Sequence, residues 1–187
     1  MRIAAVACLV SFMALLASSI ASGEPQRTPA EPPLAVIVAH FYPGYVPVTL
    51  GDLDPQIGAL TVKDPAYDHS DRSPTAVRAD FDGNGHADYA LLIKQQTAAG
   101  SDEIFVILMG HGGGRYARAM ESFFGPLSDD IYLGYLGRDT ELRPAGAASD
   151  RIVLKAPAVT LNVLNHGSDV LLWDPSRNSF DSAPIPE

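Results

Sequence analysis

Oxygen-bearing side chains alternate along one short segment, ADFDGNGHADYALLI (79–93), and could together bind a cation. Counted from Asp80 as position one, positions three, five, seven and nine are Asp82, Asn84, His86 and Asp88. Alternate side chains of a tightly curled loop point toward one centre, so these positions can supply three carboxylates and one amide oxygen. Position seven commonly contributes its backbone carbonyl, and the two intervening glycines, Gly83 and Gly85, permit the backbone angles of such a curl.

This ligand set predicts a calcium site. Three carboxylates, an amide oxygen and a carbonyl form a hard, anionic cage, and water can complete the six or seven ligands that Ca²⁺ prefers. Magnesium would require stricter octahedral geometry and fewer protein ligands. The loop is not an EF-hand, because its twelfth position is Leu91 rather than a bidentate glutamate. The alternative is a β-turn that happens to be acidic.

The pattern D-x-D-x-N-x-x-x-D resembles the calcium loop of FG-GAP and VCBS-type repeats. More widely, HFYPGYVPV before the loop, a strand pair after it and the closing DVLLWDPSRNSF resemble a family of uncharacterised bacterial exported single-domain proteins with one such loop. The resemblance implies export and metal ligation by Asp80, Asp82, Asn84, the His86 carbonyl and Asp88. No Gly-Ala-Pro follows the loop, no second loop is present and Phe124-Gly125 comes after it, so a multi-blade propeller is not predicted.

The elements that hold this loop follow a predicted export signal. Arg2 is a minimal basic region, residues 3–16 form an apolar run, and small residues precede cleavage after Ala21 or Gly23. A transmembrane anchor is the alternative, but the run is shorter than the ~20 residues that a span needs. The signal predicts export, and together with the resemblance to bacterial exported proteins it implies a periplasmic or secreted location.

We therefore predict a signal peptide over 1–23, a disordered proline-rich linker over 24–33 and a single β-rich domain over 34–187. Cleavage removes the only cysteine, Cys8, so the mature chain has no disulfide. It also removes one of 13 basic residues and none of the 22 acidic ones, which leaves a net charge of −10. Such a surface disfavours nucleic acid and anionic membranes as partners, and no stable membrane span is expected after cleavage.

The patterning predicts a mainly β (α+β) fold, an antiparallel meander sheet with one or two short N-terminal helices. The run LAVIVAHFYPGY (34–45) has the β-branched residues of a strand, but its flanking prolines and glycine favour a short helix. The segment 51–74 has many turn signals and predicts a long ordered loop with one short strand or turn.

The chain after the loop is rich in strand signals. DYALLIKQQ and EIFVILMG, separated by TAAGSD, predict a hairpin, and HGGG (111–114) predicts a turn into RYARAMES. Later runs are IYLGYLG, RIVLKAP, VTLNVL, DVLLWD and SFDSAPI. Short breaks between the last four predict an antiparallel meander, within a sheet of about five to eight strands.

Other candidate sites have ordinary structural interpretations. HGGG resembles the oxyanion segment of some lipases, but the chain lacks the G-x-S-x-G nucleophile elbow. The five histidines have no zinc-binding spacing: His40, His69, His86, His111 and His166. Two acidic pairs could be acid/base carboxylates, although solvated turns are the commoner role: Asp129-Asp130 and Asp52-x-Asp54. Four aromatic residues could line a sugar-binding face or fill the core: Tyr132, Tyr135, Trp173 and Phe180.

Two functional classes remain. The first is a non-catalytic, calcium-stabilised exported module that binds an unknown protein or envelope partner. The second is a small secreted hydrolase built from dispersed carboxylates and histidines. The first is favoured, because no nucleophile–base pair or open metal site can be recognised in the sequence. A cleft that holds titratable groups with shifted pKa values would favour the second.

Overall fold

The computed structural model describes residues 31–67, 71–143 and 151–185. The predicted signal peptide and most of the predicted linker lie outside these ranges. Two α-helices are described, α1 (Leu34–Phe41) and α2 (Pro55–Thr61). The strands are β1 (Val46–Pro47), β2 (Arg72–Ser73), β3 (Ala76–Ala79), β4 (Asp88–Thr97), β5 (Gly100–Gly110), β6 (Tyr116–Pro126), β7 (Ile131–Leu136), β8 (Glu141–Leu142), β9 (Ile152–Val153), β10 (Ala158–Val163), β11 (Gly167–Asp174) and β12 (Ser179–Ile185).

The strands form antiparallel sheets, so the fold is mainly β with two helices, as predicted. The larger sheet has six strands in the order β2-β3-β4-β5-β6, with β1 also pairing with β4. The second sheet has four strands in the order β12-β11-β10-β7, and β8 pairs with β9 as a two-stranded ribbon. Most of the pairs join strands that are neighbours in the chain, which explains why local sequence signals were informative.

The two central strands of the larger sheet are buried on both faces. Alternate residues of β4 and β5, such as Leu92 and Phe105, face the second sheet, whereas Leu91 and Val106 face helix α1. Successive side chains of a strand point to opposite faces, so burying both faces requires an unbroken apolar run. DYALLIKQQ and EIFVILMG have such runs because they form the middle layer of a helix–sheet–sheet stack.

The predicted short helix at 34–45 is confirmed as α1, which begins after Pro33 and packs Ile37 and Val38 against the sheet. Helix α2 was missed within the predicted long loop. The sequence contains a start signal for this helix, an aspartate followed directly by a proline. In the structure, the Asp54 carboxylate accepts a hydrogen bond from Gln56 N at 2.7 Å, and Pro55 occupies the first helical position. No helix in the described residues is long and apolar enough to cross a membrane.

Both predicted hairpins are confirmed. Strands β4 and β5 pair from Tyr89↔Leu108 to Thr97↔Gly100, and β5 pairs with β6 across the HGGG turn. Three of the four runs predicted to form the later meander do so, as β10, β11 and β12. Placing RIVLKAP in it was wrong, because β9 pairs with β8 and the run ends at Pro157, which has no N–H to donate to a sheet.

Candidate metal centre

The acidic loop closes the hairpin between β3 and β4. Ala79 and Asp88 are paired residues at the ends of the two strands, and residues 80–87 connect them. Phe81 anchors the loop, since its side chain is completely buried and meets the Phe180 ring of β12 edge-on, with 6.2 Å between centroids. The loop is therefore attached to the second sheet as well as to its own strands.

Backbone torsions and internal hydrogen bonds give the loop its curl. Gly83 and Gly85 have φ angles of 76° and 84°, in the left-handed conformation that glycine adopts readily. The two glycines predicted such backbone angles here. Asp82 Oδ1 accepts from Asn84 N at 3.0 Å, and Asp80 Oδ2 accepts from Gly85 N at 2.9 Å. These short-range bonds hold the carboxylates on the inner side of the turn.

Three of the predicted ligand residues meet at one point. Oxygens of Asp80, Asp82 and Asp88 all lie within 4.8 Å of one another. At such a separation a pair of charges repels by roughly 3–4 kcal/mol at an effective dielectric constant of about 20. Asp80 Oδ1 is buried and has no hydrogen-bond partner among the residues that the structure describes. A cation would relieve the repulsion and satisfy this oxygen.

Asp88 is the most constrained of the three. Its side chain is completely buried, its Oδ2 accepts from Phe81 N at 2.7 Å and its Oδ1 accepts from Gly110 N at 2.7 Å. Burial raises the pKa of Asp88 to about 6, the two backbone hydrogen bonds oppose this rise, and the charges of Asp82 and Asp80 add to it. Each oxygen retains a lone pair that a cation could use.

Gly110, at the end of β5, is a site residue that sequence reasoning missed. Its N–H binds Asp88, and its carbonyl accepts from Asn84 Nδ2 at 3.0 Å. A Cβ at this position would overlap the Ala87 carbonyl oxygen and stand 3.1 Å from its carbon, so only glycine permits the approach. The HGGG motif predicts only a turn. The sequence signal for this part of the site is Gly110, the glycine directly before that motif.

Asn84 and His86 shape the loop, and their roles as ligands stay predictions. Asn84 Oδ1 accepts from His86 N at 2.7 Å, and Asn84 Nδ2 donates to Asp82 Oδ2 at 2.9 Å. The His86 imidazole is exposed and lies over Gly112, whose added Cβ would be 2.8 Å from His86 Cε1. Within the described residues the imidazole is not grouped with the three carboxylates.

The donor set fits a hard divalent cation. All three converging groups are carboxylates, the class of ligand that Ca²⁺ and Mg²⁺ bind, and no thiol or imidazole is grouped with them in the described ranges. Exposed loop residues such as Gly83 leave the outer side open for water ligands. The three carboxylates could therefore hold a metal ion.

Three residues of the other two acidic pairs have side-chain hydrogen bonds with structural roles. Asp54 caps α2, and Asp52 bonds to Thr49 N at 2.8 Å and forms an ion pair with Lys94. Asp130 accepts from the Ser128 hydroxyl. The four aromatic residues considered for a sugar-binding face all pack against the main core, and two of them face each other across β11 and β12: Tyr132, Tyr135, Trp173 and Phe180.

Glu103 on β5 is a second buried carboxylate that the sequence did not reveal. It is completely buried, and its Oε2 accepts from Ser128 N at 3.1 Å. Its Oε1 has no partner in the described part of the chain. Burial raises the pKa of Glu103 to about 7, and the charges of Asp130 and Asp52 add to the rise. Glu103 lines none of the four surface grooves beside the loop and hairpins, so its shifted pKa does not mark a substrate cleft there.

Glu103→Gln is expected to change how stability depends on pH. The pKa of Glu103 is higher in the folded protein than in the unfolded chain, so the folded protein keeps the proton of Glu103 between about pH 4.5 and 7. The free energy of unfolding of the wild type therefore falls as pH rises through this window. Glutamine is neutral throughout. The variant should gain on the order of 1–3 kcal/mol relative to wild type between pH 4.5 and pH 8.

Urea unfolding of both proteins at the two pH values, after metal removal, measures this difference. The glutamine amide adds a pH-independent contribution, so the change between the two pH values is the informative quantity. A stability difference between variant and wild type that is the same at pH 4.5 and pH 8 would contradict the prediction.

Comparison with known proteins identified no relative of this chain. No protein-family model matches the chain, and no curated protein or solved structure matches it. The resemblance of the loop to FG-GAP and VCBS-type calcium loops therefore stays a prediction, and functional inference depends on the geometry of the loop.

Proposed function

We propose that the protein is an exported, non-catalytic β-rich module that binds Ca²⁺ through the loop between β3 and β4. The observation that carries this proposal is the convergence of three carboxylates, one of which has a buried oxygen with no hydrogen-bond partner in the described ranges. The predicted signal peptide supports export, and exported proteins meet calcium at concentrations that suit extracellular modules with Kd of about 10⁻⁴ to 10⁻³ M.

The cation fastens three parts of the larger sheet together. Asp80 follows β3, Asp88 begins β4, and Asp88 also holds the end of β5 through Gly110 N. Without a cation, repulsion among the carboxylates favours opening of the loop. With calcium, the same charges favour the folded loop, so the ion stabilises this end of the larger sheet.

Millimolar calcium is expected to stabilise the wild-type protein by on the order of 1 kcal/mol, since binding only the folded state adds RT ln(1 + [L]/Kd). For a domain of this size that corresponds to a rise in Tm of roughly 2–4 °C. Asp80→Ala should abolish the rise because it removes a charged ligand. Thermal unfolding with and without calcium, after metal removal on a chelating resin, measures the effect.

Three further variants test the ligand assignment. Asn84→Ala should weaken the rise less than Asp80→Ala, because it removes a neutral ligand. His86→Ala should leave it nearly intact, because only the backbone carbonyl is assigned to the metal. Asp169→Ala removes an exposed carboxylate of β11 far along the chain from the loop and serves as the matched control.

Calorimetry on metal-free wild-type protein supplies the decisive result. Absence of any calcium binding would overturn the proposed function. Loss of calcium binding in His86→Ala alone would contradict the assignment of the backbone carbonyl, and a Zn²⁺ titration of the wild type would then test whether the imidazole binds a transition metal.

A further inference from the structure

A polar groove of about 340 Å³ opens beside the metal loop, along the β2–β3 hairpin. Two arginines, Arg72 and Arg78, line it together with Asp80 and His86 of the loop. The groove has two arginines and two aspartates, Asp80 and Asp71, whereas the chain as a whole has a net charge of −9. The groove is therefore less acidic than the overall composition of the chain.

The guanidinium of Arg72 is held in a fixed orientation, which favours binding of an anion. Its guanidinium carbon lies 3.5 Å from the centroid of the Tyr135 ring, and this stacking fixes the plane of the guanidinium. Arg72 Nε is buried and has no hydrogen-bond partner within the described residues. A buried donor of this kind is usually satisfied, so this N–H is suited to a partner outside those residues.

The groove also contains an unpartnered acceptor. Three buried side-chain atoms lack partners in the described residues, and two of them, Arg72 Nε and Asp80 Oδ1, belong to residues that line this groove. The third, on Glu103, lies elsewhere. An anion would satisfy the unpartnered donor, and a cation would satisfy the unpartnered acceptor.

The same surface already binds a carboxylate of the chain. Arg78 Nη2 lies 2.6 Å from Glu31 Oε2, and the other oxygen of Glu31 accepts from the Tyr116 hydroxyl. Arg78 therefore has a partner of its own. Among the described residues, the Arg72 side chain stacks on Tyr135 and forms no ion pair. Arg72 is therefore the arginine of the groove that can take an external group.

We propose that this groove binds a small oxyanion, a carboxylate or phosphate group, through Arg72. The inference rests on the proposed calcium site, because Asp71 and Asp80 also line the groove and would repel an anion. A cation among Asp80, Asp82 and Asp88 offsets their charge, so calcium and the anion bind cooperatively. Such coupling is reciprocal, and each ligand raises the affinity for the other.

Methyl phosphate and acetate are suitable probes of the two anion classes, and both remain soluble with calcium. Each is titrated into the isotope-labelled protein, once saturated with calcium and once stripped of metal on a chelating resin rather than by a soluble carboxylate chelator. The Arg72 Nε–H resonance reports binding directly. We expect a saturable shift with calcium and at least about tenfold weaker binding without it. The probe that binds more tightly identifies the anion class.

Arg72→Gln keeps a planar side chain and removes the charge. It should weaken anion binding at least about tenfold, because hydrogen bonds to charged groups are strong, and leave calcium affinity in anion-free buffer no weaker than in wild type. Arg151→Ala removes an exposed charge that pairs with Glu141 outside the groove, and should change neither affinity.

The outcomes separate the two proposals. Calcium binding without saturable anion binding overturns the anion site alone. Anion binding that survives Arg72→Gln, or that is equally strong without calcium, also overturns it. Failure of the wild-type protein to bind calcium overturns the proposed function, and with it the coupling on which the anion site rests.

Discussion

In calcium-saturated protein, Asp88→Ala is expected to lower the free energy of unfolding by about 2–5 kcal/mol and to eliminate the response to calcium. The carboxylate is completely buried and accepts from Phe81 N and Gly110 N, both at 2.7 Å. Alanine leaves both N–H groups without this acceptor, and each loss costs about 1–3 kcal/mol. The loss of calcium binding adds its own increment.

Removing the metal should reduce the effect of this substitution. Burial and the neighbouring charges raise the pKa of Asp88 to about 6, so at neutral pH the ionised side chain destabilises the metal-free fold. Asp88→Ala relieves that penalty while losing the hydrogen bonds. The difference in stability between wild type and variant is therefore larger with calcium than without it.

Asp88→Asn is the matched control. It retains one acceptor oxygen and loses the charge, so it should lose the calcium response as fully as alanine does but retain more stability in metal-free buffer. Urea unfolding of the three proteins with and without calcium measures both quantities. An Asp88→Ala protein that keeps the wild-type rise in Tm would show that Asp88 is not a ligand.

Gly110→Ala is expected to be comparably damaging, with a loss of about 3 kcal/mol or more in the free energy of unfolding. The new methyl group would overlap the Ala87 carbonyl, which is backbone and cannot rotate away. Strands β4 and β5 would have to separate at this point, breaking the hydrogen bonds of Gly110 with Asp88 and with Asn84. Because Asp88 would move, calcium affinity should fall at least about tenfold.

Gly113→Ala separates this steric effect from a general intolerance of alanine in the turn. Gly113 has a φ of 62°, and a Cβ there would meet nothing within 4 Å. Its replacement should cost only about 1–2 kcal/mol of left-handed backbone strain and leave calcium binding unchanged. Urea unfolding and calcium calorimetry compare the two variants. Equal losses of stability, with calcium affinity retained in both, would refute the role given to Gly110.

Signals that act over a few residues were sufficient for much of the fold. The unbroken apolar runs of β4 and β5, the prolines around α1 and the glycines of the turns each act through local backbone geometry. Because these signals are local, they did not predict the partner of every strand. The segment of β9 has the composition of a meander strand but pairs with β8. Strand composition predicts that a strand forms, whereas its partner depends on how the sheets pack.

At the candidate site, local sequence was sufficient to predict the inner side of the loop. Asp80, Asp82, Gly83, Gly85 and Asp88 lie within nine residues, so their spacing and the freedom of the two glycines were enough to predict that the carboxylates converge. The surroundings of these carboxylates depend instead on residues distant in the chain. Gly110 reaches Asp88 from 22 positions away, Tyr135 reaches Arg72 from the second sheet, and Glu103 is buried by packing. Such contacts depend on strand register and on the docking of two sheets, which no short stretch of sequence specifies.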